Sequence, residues 1–126
     1  MDPELTRALA PVLADLRATG APVPWLQESD WPADAHRAGA MLWSRDGSGQ
    51  GVAVTRGRPP AEQMAEVADR VQEWAVEDLW GTAPTNWPCC PHHPTTHPLE
   101  VRLEDAAAWW ICPRSGIRVS VVGTLR

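Results

Sequence analysis

The chain has no lysine, no phenylalanine and no tyrosine, and a single asparagine among its 126 residues. Each absence narrows what the protein can be. Without Phe or Tyr, the eight tryptophans are almost the whole aromatic supply, so they are expected to fill the core rather than to build a ligand cage. Without Lys, all 11 cations are arginine, and 16 acids outnumber them for a net charge of −5. That balance disfavours the phosphate backbone of nucleic acid, where clustered positive charge supplies most of the affinity. A basic partner is easier to accommodate. Three cysteines are too few for a disulfide framework. No apolar run approaches the length of a membrane span, and Met1-Asp2-Pro3-Glu4 lacks the basic and apolar regions of a signal peptide. A cytoplasmic location follows as the expectation, with thiols reduced and free to serve as ligands, buried thiols or a nucleophile. The missing residue types have AT-rich codons, and the 13 prolines partly reflect the same bias.

What is present predicts one α+β domain over residues 1–126, with a helix–hairpin–helix portion at 1–84 and a second module at 85–126. Asp2, Pro3 and Glu4 mark a helix start: an N-cap, a first-turn proline and an acid at the positive end of the dipole. Leu5, Ala8, Leu9, Val12, Leu13 and Leu16 recur at helical spacing, and Gly20 can end the helix. Pro11, inside this pattern, predicts a kink or a later start. Residues 21–39 read as turns anchored by Trp25 and Trp31. Runs at 40–45 and 51–56 read as an antiparallel hairpin around a glycine-rich loop. That loop, G-S-G-Q-G at 47–51, lacks the lysine and following helix of a phosphate-cradling loop. A second helix is predicted from Pro59-Pro60 to about Trp80. Its apolar stripe is Met64, Val67, Ala68, Val71, Trp74, Ala75 and Leu79, and Glu62, Glu66, Asp69, Glu73 and Glu77 line the opposite side. The chain is irregular from Thr82 to Pro98. Period-two runs at 99–104, 108–112 and 117–121 then predict a three-stranded antiparallel meander.

The stretch W-P-C-C-P-H-H-P-T-T-H at 87–97 concentrates two cysteines and three histidines. Two short turns share a pattern, Cys90-Pro91-His92-His93 and Cys112-Pro113-Arg114-Ser115-Gly116. The second resembles the C-P-x-C-G knuckle of zinc-ribbon proteins, with Ser115 where the second cysteine would stand. The first resembles the same knuckle with histidine as its second ligand. The resemblance covers residues 87–122 and implies two knuckles at one end of a small antiparallel sheet. Such a turn brings two side chains three residues apart onto one cation and points backbone amides at the first thiolate. Cys90 and His93 supply one pair and Cys112 a third donor. Serine is a poor zinc ligand, so His97 is the candidate for the fourth. The set Cys90, His93, His97 and Cys112 has the spacing C-x2-H-x3-H-x14-C, and its two thiolates and two neutral imidazoles balance the charge of Zn²⁺. Pro91 biases Cys90 toward extended backbone, where neighbouring side chains point to opposite sides. Cys89 is then expected as a buried thiol or a neighbour of the ligands, and His92 toward solvent. The block His97-Pro98-Leu99 and the ending W-W-I-C-P-R-S-G-I-R-V-S-V-V-G-T-L at 109–125 also resemble small actinobacterial proteins. That likeness carries no activity with it.

Two cysteines in the set favour a closed, structural site. A catalytic zinc keeps one position open and needs a base, for which Glu100 or Glu104 would serve in a three-coordinate zinc-dependent hydrolase. Pro94 and a missing glutamate separate His93 and His97 from a zinc-protease helix, and the H-x-E of a zinc deaminase is absent. A nucleophilic Cys89 or Cys90 beside a histidine lacks an orienting acid, and sequence neighbours seldom reach each other productively. His36, Asp30 and Asp34 lie in a loop, where solvent-facing or capping roles are expected. The reading is therefore a non-enzymatic zinc-binding protein acting through protein–protein contact, with the acidic helix face docking a basic partner. An immunity- or antitoxin-like inhibitor of a basic partner is a second reading and a zinc hydrolase a third. Nucleic-acid binding through Arg102, Arg114, Arg118 and Arg126 fits the charge least.

Overall fold

The computed structural model describes residues 1–80 and 85–126; Thr82 and Pro84, at the start of the predicted irregular segment, lie outside the described residues. In chain order the elements are α1 (Pro3–Ala18), β1 (Trp25–Ser29), β2 (Arg37–Trp43), β3 (Gly49–Thr55), α2 (Pro60–Leu79), β4 (Glu100–Glu104), β5 (Ala107–Ile111) and β6 (Arg118–Val121). The described strands form two antiparallel three-stranded sheets, ordered β1-β2-β3 and β4-β5-β6. This is the α+β class that the alternation of helical and period-two patterns predicts.

The first helix is capped as its sequence requires: Asp2 Oδ1 accepts from the amides of Glu4 and Leu5 at 2.9 and 3.2 Å. Gly20, with φ 70°, follows its end. The helix runs on through Pro11, so the proline does not delay its start. The predicted stripe is buried, and Asp15 is buried with it. The Asp15 carboxylate accepts from the Trp110 indole at 2.8 Å and from the amides of Gly123 and Leu125 at 2.7 and 2.9 Å. These bonds tether the C-terminal segment to the first helix.

Residues 21–39 are not all turn, because β1 lies within them and pairs with β2 from Trp25↔Trp43 to Ser29↔Gly39. Only Leu26 of this edge strand packs on the core. Trp25 is 72% exposed and so is not an anchor. Trp31 does anchor: its indole donates to the Val52 carbonyl at 3.1 Å, and its ring fills the space a side chain at Gly51 would need. The predicted hairpin forms with both strands shifted toward the N-terminus, since the register Arg37↔Thr55 to Trp43↔Gly49 leaves only residues 44–48 as the turn.

The second helix presses Val67, Ala68, Val71, Trp74 and Ala75 into the core and touches β3 of one sheet and β4 and β5 of the other. Gln63, fully buried, joins three elements. Its amide donates to Glu4 at 2.6 Å and to the Thr55 carbonyl at 3.0 Å, and its oxygen accepts from Arg7 at 3.2 Å. Trp74, Trp87 and Trp110 are buried, and the last two meet edge-on at 5.5 Å. These three take the core positions that Phe and Tyr would otherwise hold. No described helix is long and apolar enough to cross a membrane.

Candidate metal centre

The loop between α2 and β4 is closed at its base before any ligand is placed. The Leu99 amide donates to the Pro88 carbonyl at 2.8 Å, and Cys89 and Pro98 form an isolated antiparallel bridge. From α2, the Gln72 amide group donates to the carbonyls of Trp87 and Leu99. Residues 90–97 are thereby held as one closed loop. Both predicted turns form. The His93 amide donates to the Cys90 carbonyl at 3.1 Å, and the Gly116 amide to the Cys112 carbonyl at 2.8 Å. Gly116 has φ 76°, where a side chain would be strained. The Ser115 amide lies 3.5 Å from Cys112 Sγ, the amide-to-sulfur contact expected of a knuckle.

The loop and the end of β5 bring Cys90, His93, His97 and Cys112 together, with one ligand atom from each all within 4.8 Å of one another. His93 Nδ1 lies 3.6 Å from Cys90 Sγ and 3.5 Å from Cys112 Sγ. His97 uses its other nitrogen: Nδ1 is 3.1 Å from the Pro98 carbonyl, so an N–H there donates and leaves Nε2 as a bare lone pair. That Nε2 is buried without any hydrogen-bond partner. A buried orphan nitrogen is costly in a folded protein, and a metal cation would satisfy it. The carbonyl that fixes the tautomer of a ligating histidine is a recurrent companion of such sites. Two sulfurs and two imidazole nitrogens in this arrangement can hold a metal ion.

Electrostatics favours the anionic sulfur. The Ser115 hydroxyl, helped by the amides of Ser115 and Arg114 and by the Cys90 thiol, outweighs burial and pulls the Cys112 thiol from its ordinary 9.0 to about 6. Ser115 is thus a hydrogen-bonding neighbour of Cys112, a role hidden in the sequence by its position where a fourth ligand is usual.

The remaining chemistry-bearing residues sort differently. Cys89 is exposed rather than buried, and its thiol donates to the Pro94 carbonyl at 3.4 Å. It bridges Pro98 through the backbone, while its neighbour Cys90 is buried. His92 is exposed, as expected. Cys90 and His93 meet as the knuckle spacing predicts, and Cys112 shares the same imidazole nitrogen, so His93 is not a base dedicated to Cys90. Glu100 pairs with Arg102 and Glu104 with Arg118, so both candidate bases are engaged by cations. His36 is exposed, and its backbone amide donates to Asp34 Oδ1 at 2.9 Å.

The acidic face of α2 is partly spent on the fold. Glu66 accepts from the Thr55 amide and hydroxyl at 3.1 and 3.0 Å, and Glu77 from Gln50 at 2.8 Å. Asp69 and Glu73 are exposed, and Glu62 is half-buried. Comparison with protein-family models, curated proteins and solved structures finds no match for the chain.

Proposed function

We propose that this is a non-enzymatic zinc-binding protein, with a structural Zn²⁺ held by Cys90, His93, His97 and Cys112, that acts through protein contact. One observation carries the metal: the buried Nε2 of His97 has no partner while two sulfurs and a second imidazole converge beside it. Zinc is the ion that best suits two thiolates and two imidazoles in a tetrahedral set. Four protein donors fill that set and leave no position for water. Glu100 and Glu104, the candidate bases of a hydrolytic site, are each paired with an arginine. Both points favour a structural role over a zinc hydrolase. The ion would join the proline-rich loop to β5, and its binding free energy would act as folding free energy for that region.

The contact surface in this reading is the outer side of α2, where Asp69 and Glu73 are exposed and Trp80 follows with 77% of its surface free. A basic partner, including the toxin of an immunity-type pair, suits that charge. Metal analysis of protein purified under reducing conditions tests the first claim: one zinc per chain is expected, and none would defeat it. For the second, capture of a basic protein should weaken with salt and with charge reversal at Asp69 and Glu73. Capture indifferent to both would rule out this face.

A further inference from the structure

We propose that the metal centre is also an oxidation switch, in which hydrogen peroxide joins Cys90 to Cys112 and releases the metal; the release step rests on the zinc reading above. The pairing follows from placement. Cys90 comes from the loop and Cys112 from the end of β5, both fully buried, and their sulfurs flank one imidazole nitrogen at 3.6 and 3.5 Å. They lie within 4.8 Å of each other. A disulfide needs an S–S distance of about 2.05 Å, so side-chain rotation and a small loop movement close the gap.

The loop is the part able to move. Pro91, His92, Pro94, Thr95 and Thr96 are all exposed. Its interior backbone bonds run only from the His93 amide to Cys90 and from the Thr96 amide to His93, at 3.1 and 3.2 Å. Segments with few buried contacts open locally at low free-energy cost, and such opening admits peroxide. Cys112 is held more firmly, its amide donating to the Ile117 carbonyl at 2.9 Å. Cys89, the third thiol, is exposed, donates to the Pro94 carbonyl and is not part of the four-residue cluster.

The chemistry balances in two displacements. One thiolate attacks a peroxide oxygen, the O–O bond breaks, and a sulfenic acid and a hydroxide result. The second thiolate attacks the sulfenic sulfur, forming the S–S bond and expelling a second hydroxide. Two protons from solvent turn the hydroxides into water. The sulfur pair is oxidised by two electrons and peroxide is reduced. Only the two imidazoles then remain as donors, too few to retain zinc in a structural site. The disulfide joins the same two segments that the metal joined.

The test treats the zinc-loaded full chain with hydrogen peroxide, follows release with a chromogenic zinc chelator, and maps disulfides by mass spectrometry without reduction. The expected result is loss of one zinc per chain in step with a Cys90–Cys112 bond, reversed by dithiothreitol and unchanged in Cys89→Ser. Zinc release with sulfinic or sulfonic acids and no disulfide would overturn the proposal. So would pairing through Cys89, or zinc retained while Cys89 is oxidised. The reduced, metal-free chain is mapped in parallel. If the chain takes up no zinc, the functional reading fails by itself, and release falls with it; a Cys90–Cys112 bond in that arm would uphold the pairing, and its absence would overturn the switch entirely.

Discussion

Replacing Asp15 with alanine removes the acceptor of three N–H groups at once, those of the Trp110 indole, Gly123 and Leu125. Trp110 is fully enclosed, so its indole cannot turn to water. Gly123 and Leu125 are half-buried and can recruit solvent. A hydrogen bond to a carboxylate contributes about 1.5–3 kcal/mol, and an orphaned buried donor costs about 1–3 kcal/mol. Both figures describe the same deletion, so taking the Trp110 bond once, with a small remainder for the two amides that water largely rescues, gives a loss of roughly 2–4 kcal/mol. Domains of ordinary stability have only about 5–15 kcal/mol in total. At about 4 °C per kcal/mol for a chain of this size, the melting temperature falls by roughly 8–16 °C. Thermal and urea melts of reduced protein, followed by circular dichroism and tryptophan fluorescence, read this directly. Asp15→Asn keeps one acceptor oxygen but turns an NH₂ group toward a donor, and should fall between alanine and wild type. Asp69, an exposed acid on α2, should lose less than about 0.5 kcal/mol on replacement by alanine. A loss below about 1 kcal/mol for Asp15→Ala, or equal losses at both positions, would refute the tether.

Asp2→Ala should cost about 1 kcal/mol at neutral pH through loss of the cap. Burial pushes the Asp2 carboxyl up, but the Leu5 amide, the Arg56 guanidinium and the Glu4 amide together hold it below its ordinary 3.8. Its contribution is therefore present above that ordinary value and lost as pH falls through the lower, folded-state one; a wild-type-to-variant gap in urea midpoint that widens in acid would contradict this. At Gly51 an added Cβ would lie 2.5 Å from the Trp31 ring, so Gly51→Ala should cost about 1–3 kcal/mol. That penalty should vanish in a Trp31→Ala background, and a double-mutant cycle without coupling would exclude the contact. Cys112→Ser should lose the metal and lose hydrogen-exchange protection across β5 and β6, whereas Cys89→Ser keeps both; equal behaviour of the two would contradict the ligand assignment.

Both helices could be read in the sequence because their buried faces repeat at helical spacing over several turns, and α1 carries its own cap in Asp2. The C-terminal meander was legible for the same reason at period two. The edge strand β1 escaped because Trp25 faces solvent and Leu26 alone faces the core, a pattern too short to register between Pro24 and Pro32. Asp15 left only a faint trace, an acid beside Leu16 within an otherwise apolar stripe, and its partners are about a hundred residues away. The convergence of Cys90, His93 and His97 was legible because turn geometry ties proximity to local spacing. Cys112 was legible through the hairpin that returns it to the loop. The outward turn of Cys89 was not, since it depends on the pairing of Cys89 with Pro98. Nor was the use of Glu66 and Glu77 to fasten α2 to β3, because a helical stripe does not record which acids meet a neighbouring strand.

X-ray absorption at the zinc edge of the reduced, metal-loaded chain reads the ligand set of the ion itself. Two sulfur neighbours at about 2.3 Å and two imidazole nitrogens at about 2.0–2.1 Å are expected, with no water bound to the ion. An oxygen-dominated shell, or three protein donors with a bound water, would contradict that ligand set.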